Sequence, residues 1–165
     1  MKTNAGKFLR LINNPFLVRL FLLSKLPSAF FSGVRVIVAD EKKCSVSVPY
    51  KWFSKNPFKS TYFACLSMAA EMSTGVLAMA HLYKHNPPVS MLVLKVQGNF
   101  TKKATGRTYF TCEEGESIKQ TIANAVSSGE GKIITLKSYG RNTAHEIVAE
   151  FDITWSFKAK SRIPI

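Results

Sequence analysis

The chain has 165 residues, 46% of them hydrophobic and 20% charged, which excludes disorder and suits one globular domain. Lys and Arg number 23 against 10 Asp and Glu, a formal net charge of +13 that favours anionic partners such as nucleic acid, anionic lipid or a phosphate-bearing ligand. Cys44, Cys65 and Cys112 lie far apart with neither CxxC nor Cys/His spacing, which excludes a disulfide framework and a zinc site; they read as reduced thiols of a cytoplasmic protein, and no metal is expected.

Residues 1–32 read as an N-terminal helical extension, and 33–165 as the main domain. Phe8 to Phe31 is rich in Leu and Phe, but Arg10, Arg19 and Lys25 interrupt it and Asn13-Asn14-Pro15 breaks its middle. This is too interrupted for a spanning helix or signal peptide. The preferred expectation is a helix that covers a sheet edge or fills a subunit contact, with membrane contact by a basic amphipathic helix as the other reading.

From Gly33 the pattern changes to period two. Val34, Val36 and Val38 alternate with Arg35 and Ile37, and Cys44 to Val48 alternates around Ser45 and Ser47. Both runs predict strands joined at Asp40-Glu41-Lys42-Lys43. Tyr50 to Phe58 is aromatic, basic and irregular.

A helix capped by Ser60 or Thr61 is expected to run to about Tyr83, with Asn86-Pro87-Pro88 ending it. It would be about 36 Å long. Between Lys59 and Lys84 its only formally charged side chain is Glu71, so the helix should be buried on most faces. Strands are predicted over 89–100 and 106–112, a helix over 115–126, and strands over 132–139 and 144–157. Acidic residues sit at the positive end of the second helix.

Glu71 is the strongest chemical signal. A carboxylate buried among apolar residues costs several kcal/mol unless it is paired, protonated or used. Burial would raise its pKa toward the range of a general base. Taken alone, the residues favour a structural pairing with Lys or Arg, or a hydrogen bond across a subunit contact.

The run Asn56-Pro57-Phe58-Lys59-Ser60-Thr61-Tyr62-Phe63-Ala64-Cys65-Leu66-Ser67-Met68-Ala69-Ala70-Glu71-Met72-Ser73-Thr74-Gly75 resembles the core of hotdog-fold thioesterases. Those proteins carry an Asn before the central helix, a small-residue segment at its start and an Asp or Glu about two turns in. Phe100-Thr101-Lys102-Lys103-Ala104-Thr105-Gly106 resembles the turn after their third strand, and Trp52 to Asn56 is similar to the Trp-x-x-x-Asn segment of the thioesterase-like DUF4442 (PaaI-like) branch. The resemblance implies an α+β hotdog fold, a long central helix wrapped by an antiparallel sheet, with the N-terminal helix added.

It also implies a site. Glu71 would be general base or nucleophile toward an acyl thioester, and Asn56 would position water or carbonyl across a dimer interface. Backbone N–H groups at Phe63 and Ala64 would polarise the carbonyl, with Ser73 and Thr74 in support. Trp52, Phe58, Tyr62, Lys102 and Lys103 would bind substrate. No cofactor is implied beyond the coenzyme A of the substrate, and a homodimer or tetramer is expected. Where the family commonly has His-Gly-Gly or a similar small pair, this chain has Tyr62-Phe63-Ala64, which narrows the site. Acyl-CoA hydrolysis is the first expectation, and an acyl-CoA-binding protein without catalysis is the alternative.

Three other features are set below these. Tyr50, Trp52, Phe53 and Phe58 interleave with Lys51, Lys55 and Lys59 like a stacking surface for nucleic acid, but no nucleic-acid motif accompanies them. His81 and His85 have metal-like spacing without a third ligand. Gly129-Glu130-Gly131-Lys132 lacks phosphate-loop spacing and reads as a hairpin turn.

Overall fold

The computed structural model describes residues 3–160. The elements run α1 (Asn4–Ile12), α2 (Pro15–Lys25), α3 (Pro27–Phe31), β1 (Arg35–Ala39), β2 (Cys44–Val48), a 3-10 turn (Trp52–Ser54), α4 (Phe63–Leu82), β3 (Val89–Phe100), β4 (Thr108–Cys112), α5 (Gly115–Ser128), β5 (Lys132–Arg141) and β6 (Ile147–Ala159). The fold is α+β and has the hotdog arrangement. Six antiparallel strands, in the order β1-β2-β4-β5-β6-β3, curve around the central helix α4.

The single N-terminal helix expected from sequence is three. Asn14 caps α2 by accepting from the Phe16 and Leu17 N–H groups, and Pro15 and Pro27 open α2 and α3, where a missing N–H costs nothing. The cap expected at Ser60 or Thr61 is likewise absent. The Thr61 N–H and hydroxyl both go to the Ala104 carbonyl, so α4 starts at Phe63 behind Tyr62 with no side-chain cap. It ends at Leu82, before the prolines, because Lys84 turns left-handed at φ 53°. The strands β4 and β6 begin at Thr108 and Ile147, two and three residues later than the pattern suggests.

The inward pleat of the sheet carries Val46, Phe110, Leu136, Phe151, Ile153 and Phe157, all buried in the core that the sheet forms with α4 and α5. Registers pair Val46 with Phe110 and Leu136 with Ile153, so successive inward residues stack across strands. Helix α5 lies beside α4, burying Ile118, Ile122 and Ala125, and stops at Gly129, whose φ of 70° favours glycine. Cys44 and Cys112 face each other across β2 and β4, fully buried. Burial raises both thiols, that of Cys112 to about 12, which makes them inert packing groups at neutral pH.

Two features position the site. The sheet curls so far that both edge strands face one opening beside α4, and α1 and α2 close that opening with Phe8, Val18 and Leu22 in the core. Beyond a bulge between Val93 and Lys95, β3 runs past the helix. Its inward residues Val96 and Phe100 stay 47% exposed each, and no strand pairs with its outer edge among the described residues.

Candidate functional site

Beneath α1 and α2 lies a cavity of about 480 Å³. Its walls are α1 (Leu11), α2 (Leu17, Phe21), β1 (Val36), α4 (Met72, Val76, Met79), β3 (Met91) and β6 (Trp155), and among the described residues Glu71 is the only charged one that lines it. Of the small residues along α4, Gly75 matters most here. A Cβ there would stand 3.2 Å from the Glu71 Oε1 and 3.4 Å from the Trp155 ring, so the glycine makes room for the carboxyl. Trp155 is held by its indole N–H, which donates to the Thr74 hydroxyl at 2.9 Å; that hydroxyl donates in turn to the Glu71 carbonyl at 2.9 Å.

Among the described residues, the Glu71 carboxylate makes no ion pair and no side-chain hydrogen bond; the four ion pairs present lie elsewhere, at the surface. The pairing with Lys or Arg that residue composition alone favoured is therefore not made among the described residues. Burial among apolar walls holds the carboxyl above the ordinary glutamate value. It is a base with a raised pKa at the side of an apolar cavity, which is the electrostatic setting of a proton acceptor.

The remaining residues of interest gather elsewhere. An open groove of about 590 Å³ at the start of α4 is lined by Asn56, Phe58, Tyr62, Phe63, Phe100, Lys102 and Lys103. Eight residues of helix separate Phe63 from Glu71, about 12 Å along the axis. At this end of α4 the Phe63 and Ala64 N–H groups have no acceptor among the described residues, at the positive end of the helix dipole. The Asn56 side-chain oxygen is used locally, accepting from the N–H groups of Phe58 (3.0 Å) and Ser60 (3.2 Å) and so shaping the loop. Lys102 pairs with Glu146 at 2.7 Å, while the Lys103 ammonium reaches the Phe58 carbonyl at 3.3 Å.

Trp52, Ala64, Ser73 and Thr74 line neither space. Trp52 is 77% exposed on the 3-10 turn, edge-on to Phe53. Ser73 points at the sheet, where its hydroxyl donates to the Ala70 carbonyl and meets the Ser138 hydroxyl at 2.8 Å. Thr74 acts through Trp155. His81 and His85 each contact a backbone oxygen, of Glu41 and Pro87.

Trp155 was not singled out from sequence, where the N-terminal segment reads as covering a sheet edge or filling a subunit contact, not as the roof of a cavity. Trp155 was findable, since it alternates inward with Ile153 and Phe157; the roof was not, because nothing local shows which surface an apolar helix covers. Trp155→Ala is expected to cost about 3–5 kcal/mol in chemical denaturation, from the lost volume and the lost indole hydrogen bond to Thr74.

Residues 18–157 match the family model described as Domain of unknown function (DUF4442). Similar solved structures include a protein of unknown function and probable thioesterase from Pseudomonas aeruginosa, 20% identical, TM-score 0.74, covering 88% of this chain and 97% of that one. A protein of unknown function from Chlorobaculum tepidum is 16% identical with TM-score 0.74, over 88% and 97%. A thioesterase from Haemophilus influenzae is 12% identical with TM-score 0.63, over 88% and 92%. At these identities the likeness is one of fold. No curated protein matches the chain.

Proposed function

The chain belongs to the DUF4442 family, and from that premise we propose that it hydrolyses an acyl thioester, with the acyl chain in the apolar cavity and Glu71 as general base. The observation that carries this reading is Glu71 itself: one carboxyl with a raised pKa and no partner among the described residues, in a cavity otherwise walled by apolar and aromatic residues. In the proposed step the carboxylate takes a proton from water as the water oxygen attacks the thioester carbonyl carbon. The oxyanion then collapses, the C–S bond breaks, and the thiolate leaves with the proton held by Glu71.

What stabilises the oxyanion is the free pair of N–H groups at Phe63 and Ala64, but in one chain they lie about 12 Å from Glu71. A second copy closes the gap. Met91, near the start of β3, borders the cavity, and Phe100, at its end, borders the groove. If two copies pair antiparallel along their open β3 edges, the end of one β3 lies beside the start of the other. Each cavity then meets the partner's groove, which supplies the N–H donors and the Lys103 ammonium for the carrier's phosphates.

The test is release of free thiol from acyl-CoAs of graded length. Cleavage that rises with chain length until the cavity is full is the expected result; no cleavage of any acyl-CoA, with or without binding, removes the hydrolytic reading. A second reading, acyl-ligand binding without catalysis, is favoured by one feature. Tyr62 and Phe63, two bulky rings that meet edge-on at 4.8 Å, stand at the helix start. Binding of acyl-CoA without thiol release would support it.

A further inference from the structure

Helix α2 is apolar on the wrong side as well as the right one. Val18 and Leu22, one turn apart, are buried against the core, yet Phe16, Leu20 and Leu23, on the opposite face, are 75%, 56% and 45% exposed. An exposed stripe of large apolar side chains marks a contact surface. Its electrostatics narrow the choice of contact. Through β1 the chain carries Lys2, Lys7, Arg10, Arg19, Lys25 and Arg35, and its first acidic residue is Asp40. A second copy docked here by two-fold symmetry would set these cations against themselves, which is unfavourable. Nucleic acid would satisfy the charge and leave the stripe in water. An anionic lipid surface satisfies both, since apolar side chains enter the acyl boundary while Lys and Arg stay at the headgroups.

The position of the stripe gives the contact a purpose. The same helix, by Leu17 and Phe21, forms the wall of the apolar cavity, and both of these are partly exposed. The cavity therefore borders the surface that the stripe would bury. We propose that α2 docks this protein on anionic membranes, so that long-chain acyl ligands pass between the bilayer and the cavity without crossing water. The passage of ligand rests on the reading of the cavity as an acyl site; the docking does not.

The experiment is vesicle flotation of the full chain with phosphatidylcholine alone and with phosphatidylglycerol replacing part of it, at low and high salt. Wild type is expected to float with the anionic vesicles, less so in high salt. Phe16→Ser with Leu20→Ser should lower partition at least tenfold, and Lys7→Gln by about fivefold. Neither apolar position lines the cavity, so hydrolysis of a water-soluble short acyl-CoA should be unchanged in the double variant, which also reports that it has folded. Glu71→Gln should float like wild type whatever its activity, which separates failure of the docking from failure of the hydrolytic reading. The proposal is overturned if wild type stays with neither vesicle, or if the double variant floats as well as wild type. It is equally overturned if that variant instead changes the oligomeric state, or if single-stranded oligonucleotide binding is lost with the stripe.

Discussion

Glu71→Gln is expected to reduce thioester cleavage by about 10²–10⁴-fold, because the amide has nearly the same shape but cannot take a proton from water. The variant should also fold at least as well as wild type. In the folded chain burial disfavours the charged form, so the Glu71 pKa lies above the ordinary 4.5 of the unfolded chain. Below 4.5 the group is protonated in both states and costs nothing. As pH rises through 4.5 and up to the folded pKa, the unfolded chain releases its proton first, and stability falls across that window. Glu71→Gln removes that fall, so denaturant midpoints measured from acid to neutral pH should separate in favour of the variant. The rate of wild type should follow the opposite course, rising as the carboxyl ionises. A variant that cleaves at the wild-type rate would show that Glu71 is not the base.

Breaking the β3 edge is the second large effect. Leu92 and Leu94 are 63% and 48% exposed on a strand whose outer edge is unpaired, a surface that natural sheets seldom leave to water. Leu92→Arg with Leu94→Arg would place cations beside Lys95 on an edge that meets its own copy in the proposed pairing, so like charges would face each other. Wild type should sediment as a dimer or larger and the variant as a monomer. Thiol release should fall to near background, since each Glu71 would lose the N–H donors of the partner, while circular dichroism and the thermal transition of the core persist. A monomer that keeps full activity would show instead that one chain contains the whole site.

These expectations draw on different levels of the molecule. The strands were legible because a half-buried sheet imposes period two, as at Cys44–Val48, and α4 because only a buried helix can be so free of charge. Glu71 stood out for the same reason: it breaks an apolar run, and desolvating a carboxylate carries a cost that composition reveals at once. The helix boundaries were less legible. Ser60 and Thr61 have the chemistry of caps, but the Thr61 hydroxyl and N–H are claimed by the Ala104 carbonyl, a contact with a residue more than forty positions away. Asn56 has the chemistry of a catalytic amide, and its oxygen is taken by the turn it sits in.

What only the tertiary structure decided is where the carboxyl points and what surrounds it. By sequence, Glu71 and the helix start belong to one segment and suggest one site; in three dimensions the helix places them in two spaces. The cavity exists because the sheet curls until its edges, at Val36 and Met91, face each other across α4, and because α1 and α2 span the opening. Periodicity reports which faces of an element are apolar, since that depends on neighbours along the chain. It cannot report which other element meets each face, because that depends on closure of the whole sheet.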